Sequence, residues 1–215
     1  MLRMEGWNRA GGIGTLAALV LVSSAWAADE PYHVRGILRS VASDAVTVNT
    51  DAGETLEVAL KDDTRVLVVT PASLDDVKQG DYVGITSIER GGERVALGMH
   101  IFAEDLKGTA EGHVPWDLVK ESNTMTNATV AEVADVTEGR ELVLTYRQKD
   151  GEQASEGSQT IVVPEDLEIA RLSKAPDRSA LEADRQVFMI VQDEEGDTPT
   201  ALAVVVESEG ATPPM

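Results

Sequence analysis

The stretch that decides the fold is AVTVNTDAGETLEVAL, residues 45–60. Apolar and polar residues alternate on both sides of Asp51-Ala52-Gly53, which supplies the turn of a β-hairpin. The same alternation returns at 141–146 and 159–163, where a longer polar loop joins the two segments. No segment keeps a helical period for long, so the sequence predicts an all-β protein.

The sequence also shows an internal repeat. Residues 80–85 match 185–190, residues 96–101 match 201–206, and residues 60–66 match 163–169. Such self-similarity indicates an internal duplication. Short strands that close on themselves leave no exposed edges, so each copy is predicted to form a small OB-like or SH3-like β-barrel.

The predicted organisation is therefore two tandem barrels. The first would span 28–102 and the second 128–207, and the non-repeated segment 103–127 would connect them. Residues 208–215 contain Pro213-Pro214 and are expected to form a disordered tail.

Residues 1–27 have the pattern of a secretory signal peptide. Arg3 and Arg9 precede a short apolar run, and the segment ends in Ala25-Trp26-Ala27. A membrane span needs about 20 apolar residues, more than this run offers. We expect cleavage after Ala27, export to the periplasm and no membrane insertion afterwards; the alternative is an uncleaved N-terminal anchor.

Charge and cysteine content exclude several classes of function. The chain has 18 Lys and Arg against 38 Asp and Glu, a net charge of −20. Nucleic acids and anionic membranes are bound through basic patches, so neither is expected as a partner. The absence of cysteine excludes disulfides, thiolate metal sites and cysteine nucleophiles.

The connector 103–127 holds Trp116, the only tryptophan beyond the signal peptide. The strand before it, 95–102, should place Val95, Leu97, Met99 and Ile101 in the barrel core. Its other face, which carries Ala96, Gly98, His100 and Phe102, would then be an apolar outer face. We therefore expect the connector to fold over such faces, with Trp116, Asp117 and Phe102 as partner or structural anchors.

Three residues in and beside the connector could bind a soft metal ion. His100, His113 and Met125 offer imidazole and thioether ligands, which Cu(I) and Ag(I) accept. Trp116 could stabilise a nearby cation through its ring face. The chain is similar in these residue types to small periplasmic copper and silver chaperones. The alternative is that these side chains only pack, in which case the protein has no cofactor.

A hydrolase would need His113 and Asp117 as base and orienting group, with Ser122 or Thr124 as nucleophile. The sequence contains no nucleophile elbow and no metalloprotease motif, so an enzyme is not predicted. A third possibility is a surface that receives a peptide strand or a protein partner. The sequence favours a non-enzymatic binding or structural module whose partner it does not identify.

Three segments resemble a family of exported proteobacterial proteins of unknown function. They are HIFAE at 100–104, GTAEGHVPWDL at 108–118 and NTMTNATV at 123–130. Some members of that family carry an automatic label as metal transporter permeases. The two copies separately resemble small β-domains of unknown function, the DUF5666 type. The resemblance implies an all-β fold and an exported location, and it brings no established activity or site residues.

Overall fold

The computed structural model describes residues 30–150, 153–193 and 198–215. The predicted signal peptide, 1–27, lies outside these ranges. The all-β prediction is confirmed, since the described chain consists of strands and three single turns of 3-10 helix, at Leu74–Asp76, Glu104–Leu106 and Arg178–Ala180. The strands are β1 (Tyr32–Val41), β2 (Ala45–Thr50), β3 (Thr55–Ala72), β4 (Tyr82–Arg90), β5 (Glu93–Phe102), β6 (Gly112–Trp116), β7 (Asn123–Val136), β8 (Gly139–Asp150), β9 (Gln153–Pro164), β10 (Ile169–Lys174), β11 (Gln186–Gln192) and β12 (Thr200–Glu207).

Within the described ranges, no helix is long and apolar enough to cross a membrane.

Five strands close into a barrel in the order β11, β1, β2, β3 and β12. The pairs β11–β1, β1–β2, β2–β3 and β11–β12 are antiparallel. The circuit closes through a parallel ladder between β12 and β3, from Thr200↔Ala59 to Glu207↔Val69. Its interior is apolar and includes Val34, Leu38, Val46, Val48, Val58, Leu60, Leu181, Val187, Met189, Val191, Ala201, Val204 and Val206.

The remaining long strands form a second five-strand circuit in the order β5, β4, β7, β8 and β9. Its antiparallel pairs are β5–β4, β4–β7, β7–β8 and β8–β9. A single parallel pair, Val95↔Val162, joins β5 to β9. The enclosed core includes Val83, Ile85, Ala96, Met99, Ile101, Ala128, Val130, Leu142, Leu144, Ile161 and Val163.

Each circuit combines strands from both predicted copies. The first takes β1–β3 from residues 28–102 and β11–β12 from 128–207, and the second takes β4–β5 and β7–β9. The expected division into one barrel of 28–102 and another of 128–207 is therefore not what the strand pairing shows. The alternation of apolar and polar residues identifies strands but not their partners, so the sequence pattern does not determine which strands share a circuit.

The long strand β3 carries the chain from one circuit to the other. Thr55–Ala59 pairs with β2, whereas Leu67–Ala72 pairs with Lys174–Ile169 of β10. β10 in turn pairs in parallel with β5 of the second circuit. One continuous sheet therefore runs from the first circuit through β3 and β10 into the second.

β-bulges change which residues face the cores, and β5 gives the first example. Thr86 pairs with Gly98 and Ser87 with Ala96, so Leu97 is an extra residue in β5. A bulge reverses the alternation of side chains beyond it. Ala96 accordingly joins Met99 and Ile101 in the second core. The prediction that Val95 and Leu97 belong to the core face is wrong, because both lie half-buried outside the core cluster.

The bulge in β12 has the same effect. Ile190 pairs with Ala203 and Val191 with Ala201, which leaves Leu202 unpaired and 37 % exposed. Ala201 takes its place in the first core beside Val204 and Val206.

The tail 208–215, for which the sequence predicts disorder, contacts the rest of the described chain. Ser208 and Ala211 form a bridge, and Met215 is buried. The backbone oxygen of Met215 accepts a hydrogen bond of 2.8 Å from Arg35 Nε. A Cβ on Gly98 would overlap the backbone of Pro214, so this glycine lets the tail lie directly on β5. The composition of the tail does not reveal these contacts, because its partners are distant in sequence.

Engineered disulfides test whether β1 pairs with β11, an arrangement that we call the strand exchange because each circuit takes strands from both predicted copies. The chain has no cysteine of its own that could interfere. Ile37 and Gln186 are directly opposed in the β1–β11 pair, which brings their Cβ atoms to about 5 Å. We expect Ile37→Cys with Gln186→Cys to form an intramolecular disulfide in the monomer, detected by mass spectrometry under non-reducing conditions.

The matched control pairs Thr129→Cys with Gln186→Cys. Thr129 is opposite Tyr82 in the exchanged arrangement, so this second pair should remain reduced. A 37–186 pair that stays reduced, or that cross-links no better than the control, would contradict the pairing of β1 with β11.

Candidate ligand-binding cavity

A third apolar cluster lies between the two circuits. It is built from the faces of the strands that point away from both barrel cores, together with parts of the connector and the tail. The cluster includes Leu67, Val69, Tyr82, Phe102, Leu106, Met125, Ala170, Leu172, Phe188, Val205 and Met215. Within it lies a cavity of about 450 Å³. We refer to it as the central cavity.

The connector covers this cluster. Leu106 is buried in it, and the Tyr82 hydroxyl donates a hydrogen bond of 3.0 Å to the Thr109 carbonyl. β6 then pairs with β7 from Gly112↔Asn127 to Trp116↔Asn123, so 123–127 belongs to a strand of the second circuit. The connector therefore lies on the apolar outer faces, where the sequence predicted it.

Trp116 contacts the first circuit. Its ring lies 4.2 Å from the His33 ring and 6.0 Å from the Phe188 ring, measured between centroids. The ring is half-buried, and its Nε1 is buried. Trp116 thus joins the connector, which extends the second circuit, to strands β1 and β11 of the first.

Asp117 anchors the same contact through charge. Its Oδ1 lies 2.9 Å from His33 Nδ1 and accepts a hydrogen bond of 2.7 Å from Arg35. Partial burial opposes ionisation, but the hydrogen bonds from Arg35 and His33 outweigh it and hold the pKa of Asp117 below its usual value. The pairing of Asp117 with His113 that a hydrolase would need is therefore absent, because Asp117 contacts His33 instead.

His100 lines the central cavity from β5. Its side chain is buried, its ring meets Phe102 edge-on at 4.7 Å, and its Nδ1 has no hydrogen-bond partner among the described residues. A Cβ on Gly84 would overlap the imidazole, so the facing strand must carry glycine there. Burial lowers the pKa of His100 to about 3, so the ring is neutral at physiological pH.

His113 lies on a different face from the central cavity. Its Nδ1 is 2.8 Å from the Thr126 hydroxyl, and its ring stacks at 6.0 Å on Tyr146. Burial, with a smaller contribution from the Arg94 charge, lowers the pKa of His113. Met125 precedes Thr126 in β7, so its side chain points to the opposite face, toward the cavity.

The three predicted metal ligands are therefore divided. His100 and Met125 line the central cavity, and His113 does not. The sulfur of Met125 lies 3.9 Å from the Thr86 hydroxyl, a weak hydrogen bond. Among the described residues, no group of three or more His, Cys, Asp or Glu side chains could hold a metal ion.

Three buried polar atoms at the cavity have no hydrogen-bond partner within the described chain. They are His100 Nδ1, Trp116 Nε1 and Asn127 Oδ1, and each belongs to a residue that lines the cavity. Asn127 Nδ2 donates to the Ala110 carbonyl at 3.1 Å, which fixes the orientation of its amide. Buried polar atoms are normally paired, so three such atoms at one cavity indicate a place for hydrogen-bonding groups of a ligand.

Sequence reasoning missed several residues of this site. His33, Asn127, Phe188 and Met215 all line the cavity, and they come from β1, β7, β11 and the tail. The apolar alternation of β11 could have identified Phe188 as a residue of an outer face. No local pattern marks His33 or Met215, because strand exchange alone brings them to Trp116.

The burial of His100 predicts a specific pH dependence. Below its ordinary pKa of 6.5, His100 is protonated in the unfolded chain but remains neutral in the folded chain down to about pH 3. The free energy of unfolding should therefore fall between these values, by up to about 1.4 kcal/mol per pH unit from this residue. His100→Gln removes that contribution. The free energy of unfolding of the variant, measured by chemical denaturation at each pH, should therefore fall less steeply from pH 6.5 to 4. Equal slopes would contradict the burial of a neutral imidazole.

Comparison with family models, with curated proteins and with solved structures gives no match. The resemblance of the segments 100–104, 108–118 and 123–130 to an exported family, and of the copies to the DUF5666 type, therefore stays a prediction. The candidate site is defined by geometry, and its central element is the cavity between the two circuits.

Proposed function

We propose that this protein is a non-enzymatic binding module, exported to the periplasm, that takes a largely apolar small molecule into the central cavity. The observation that carries the proposal is the combination of an apolar cavity of about 450 Å³ with three partnerless buried polar atoms. Pockets for small molecules commonly measure about 300–1,000 Å³ and combine apolar walls with a few placed polar groups.

The character of the cavity wall supports an apolar ligand. Aromatic rings lie at both ends of the contact between circuits, with Phe102 on β5 and Phe188 on β11. Aliphatic side chains of β3, β10 and β12 cover the surface between them. Transferring an apolar molecule from water to such a surface is favourable by about 25 cal/mol per Å² of area removed from water.

The polar atoms would orient the ligand. His100 is neutral and can donate or accept according to its tautomer, Trp116 donates and Asn127 accepts. None of these three groups carries a charge at neutral pH, so they suit hydroxyl, carbonyl or amide groups of a ligand. Because they sit on β5, β6 and β7 of one sheet, they are held in place before a ligand arrives.

A neutral apolar dye tests this function. We expect N-phenyl-1-naphthylamine to bind one molecule per chain, with an increase in its fluorescence on leaving water. Ala203→Phe places a ring in the cavity, since Ala203 is buried and lines it, and should weaken dye binding by about tenfold.

The matched control is Ala154→Phe, the same change at an exposed position of β9. It should leave dye binding unchanged, and melting curves of both variants should confirm that they fold. A dye that does not bind, or that binds both variants equally, would contradict a ligand site in the central cavity.

A second candidate is soft-metal binding at the same cavity. His100 and Met125 line it, together with Met215 and Trp116, which adds a second thioether and an aromatic face. A neutral imidazole is the form that binds a metal, and Cu(I) and Ag(I) accept thioether sulfur. In this set of possible ligands, Met215 of the tail takes the place that the sequence analysis gave to His113.

Calorimetric titration with Ag(I) tests the metal candidate. We expect one ion per chain, with affinity reduced about tenfold or more in Met125→Leu because a thioether ligand is lost. The control Met99→Leu alters a methionine in the second core, away from the cavity, and should bind as the unaltered protein does. Equal binding by both variants would place Ag(I) elsewhere on the chain.

A further inference from the structure

The charge of the central cavity is opposite to the charge of the chain. Asp and Glu outnumber Lys and Arg by 38 to 18 in the sequence. Among the described residues that line the cavity there is no Asp or Glu, whereas Arg65 and Lys174 are both present. The charged side chains that line the cavity are therefore both cations, which suits an anionic group of a ligand.

The two cations lie at the same end of the cavity. Arg65 shares a face of β3 with Leu67 and Val69, which belong to the central cluster. Lys174 shares a face of β10 with Ala170 and Leu172.

The register brings these two faces together. Lys174 is directly opposite Leu67, and the Ala175 amide donates a hydrogen bond of 3.0 Å to the Val66 carbonyl. The apolar residues of β3 and those of β10 are therefore each followed by a cation, and the two cations lie at the same rim of the cavity. Arg65 and Lys174 are both exposed, so this rim opens to solvent.

Arg65 is the cation available to a ligand. Lys174 Nζ lies 2.9 Å from an Asp105 carboxylate oxygen, so part of its charge is already balanced. The guanidinium of Arg65 has no hydrogen-bond or ion-pair partner in the part of the chain that the structure describes. A guanidinium presents paired N–H donors whose geometry matches a carboxylate or a phosphate.

Among the described residues, no other Lys or Arg lines the cavity. Arg35 lies over the Phe188 ring at the opposite end, but it is already bound to Asp117 at 2.7 Å and to the Met215 backbone oxygen at 2.8 Å. The residues at that end are aromatic or thioether groups, such as Trp116, Phe188 and Met215. The cavity is thus cationic at one rim and uncharged along its apolar wall.

We propose, building on the function proposed above, that the ligand is a single-chain amphiphile with an anionic head. The head, a carboxylate or a phosphate, binds Arg65 beside Lys174 at the rim. The alkyl chain lies along Leu67, Leu172 and Val205 toward Phe188. Burial of each methylene contributes about 0.8 kcal/mol, so the chain supplies most of the affinity and the head supplies direction.

Calorimetric titration of the purified protein with three ligands of equal chain length tests the proposal. The ligands are dodecanoate, dodecyl phosphate and 1-dodecanol, each below its aggregation concentration. We expect at least one anionic ligand to bind about fivefold more tightly than the alcohol, the effect of one exposed ion pair. Tighter binding of the phosphate would identify a phosphate head, and tighter binding of dodecanoate a carboxylate head.

Arg65→Gln should abolish the preference for the anionic ligands while leaving binding of 1-dodecanol unchanged. The matched control is Arg171→Gln, which removes the same charge from β10 but on the face opposite Leu172 and Lys174. It should keep the preference. Added salt should reduce the preference as well, because the ion pair at the rim is exposed to solvent.

Equal binding of the alcohol and both anions, or an unchanged preference in Arg65→Gln, would overturn the anionic head and leave the apolar cavity standing. Binding of the naphthylamine dye without binding of any dodecyl ligand would also overturn only the amphiphile. Failure of the dye and of all three dodecyl ligands would overturn the proposed function together with this inference.

Discussion

The long strand β3, which continues through one irregularity at residues 61–64, is the constraint on which the rest of the structure depends. Thr55–Ala72 forms backbone ladders with β2, β12 and β10 along its length. A strand rises about 3.3 Å per residue, so 18 residues reach well beyond one small barrel. The irregularity at residues 61–64 does not end the strand or reverse the chain, so the following strands β4 and β5 lie in the second circuit.

The distribution of strands between the two circuits also creates the central cavity. A strand in a closed barrel alternates between the barrel interior and the outside, and outer faces normally meet water. Here the outer faces of β3, β10 and β12 are apolar, and the joined circuits turn them toward one another. The hydrophobic effect then favours covering them, which the connector and the tail do through Leu106, Trp116 and Met215. The cover is incomplete, and the space left is the cavity.

A network of polar contacts joins the connector and the tail to β1 at one end of the cavity. Asp117 binds His33 and Arg35, and Arg35 binds the backbone of Met215, so β1, the connector and the tail are joined by one short network. At the other end Lys174 of β10 pairs with Asp105 of the connector, whereas the Arg65 side chain remains without a partner in the described part of the chain. One end of the cavity is therefore closed by protein, while the other retains an unused charge. This asymmetry gives the proposed ligand a direction.

Much of this protein follows from sequence alone. The alternation at 45–60 and 141–163 determines strands and hairpins, because a period of two suits only a sheet with one buried face. The apolar outer face of 96–102 and the single tryptophan of the connector predict a docked connector, since exposed apolar surface is unfavourable. Within β5 and β12 the same alternation failed at Leu97 and Leu202, because a bulge adds a residue without leaving a local signature.

Tertiary structure alone decided which strands share a barrel and which residues share the cavity. The alternation of apolar and polar residues identifies a strand and its buried face, but it does not identify the strand's partner. The choice depends on where β3 ends and how β10 pairs with it, which are contacts between distant segments. His33, Asn127 and Met215 meet Trp116 for this reason, and His113, although close to Trp116 in sequence, lies on another face. Strand alternation determines which side a residue takes, and only the assembled sheet determines what lies on that side.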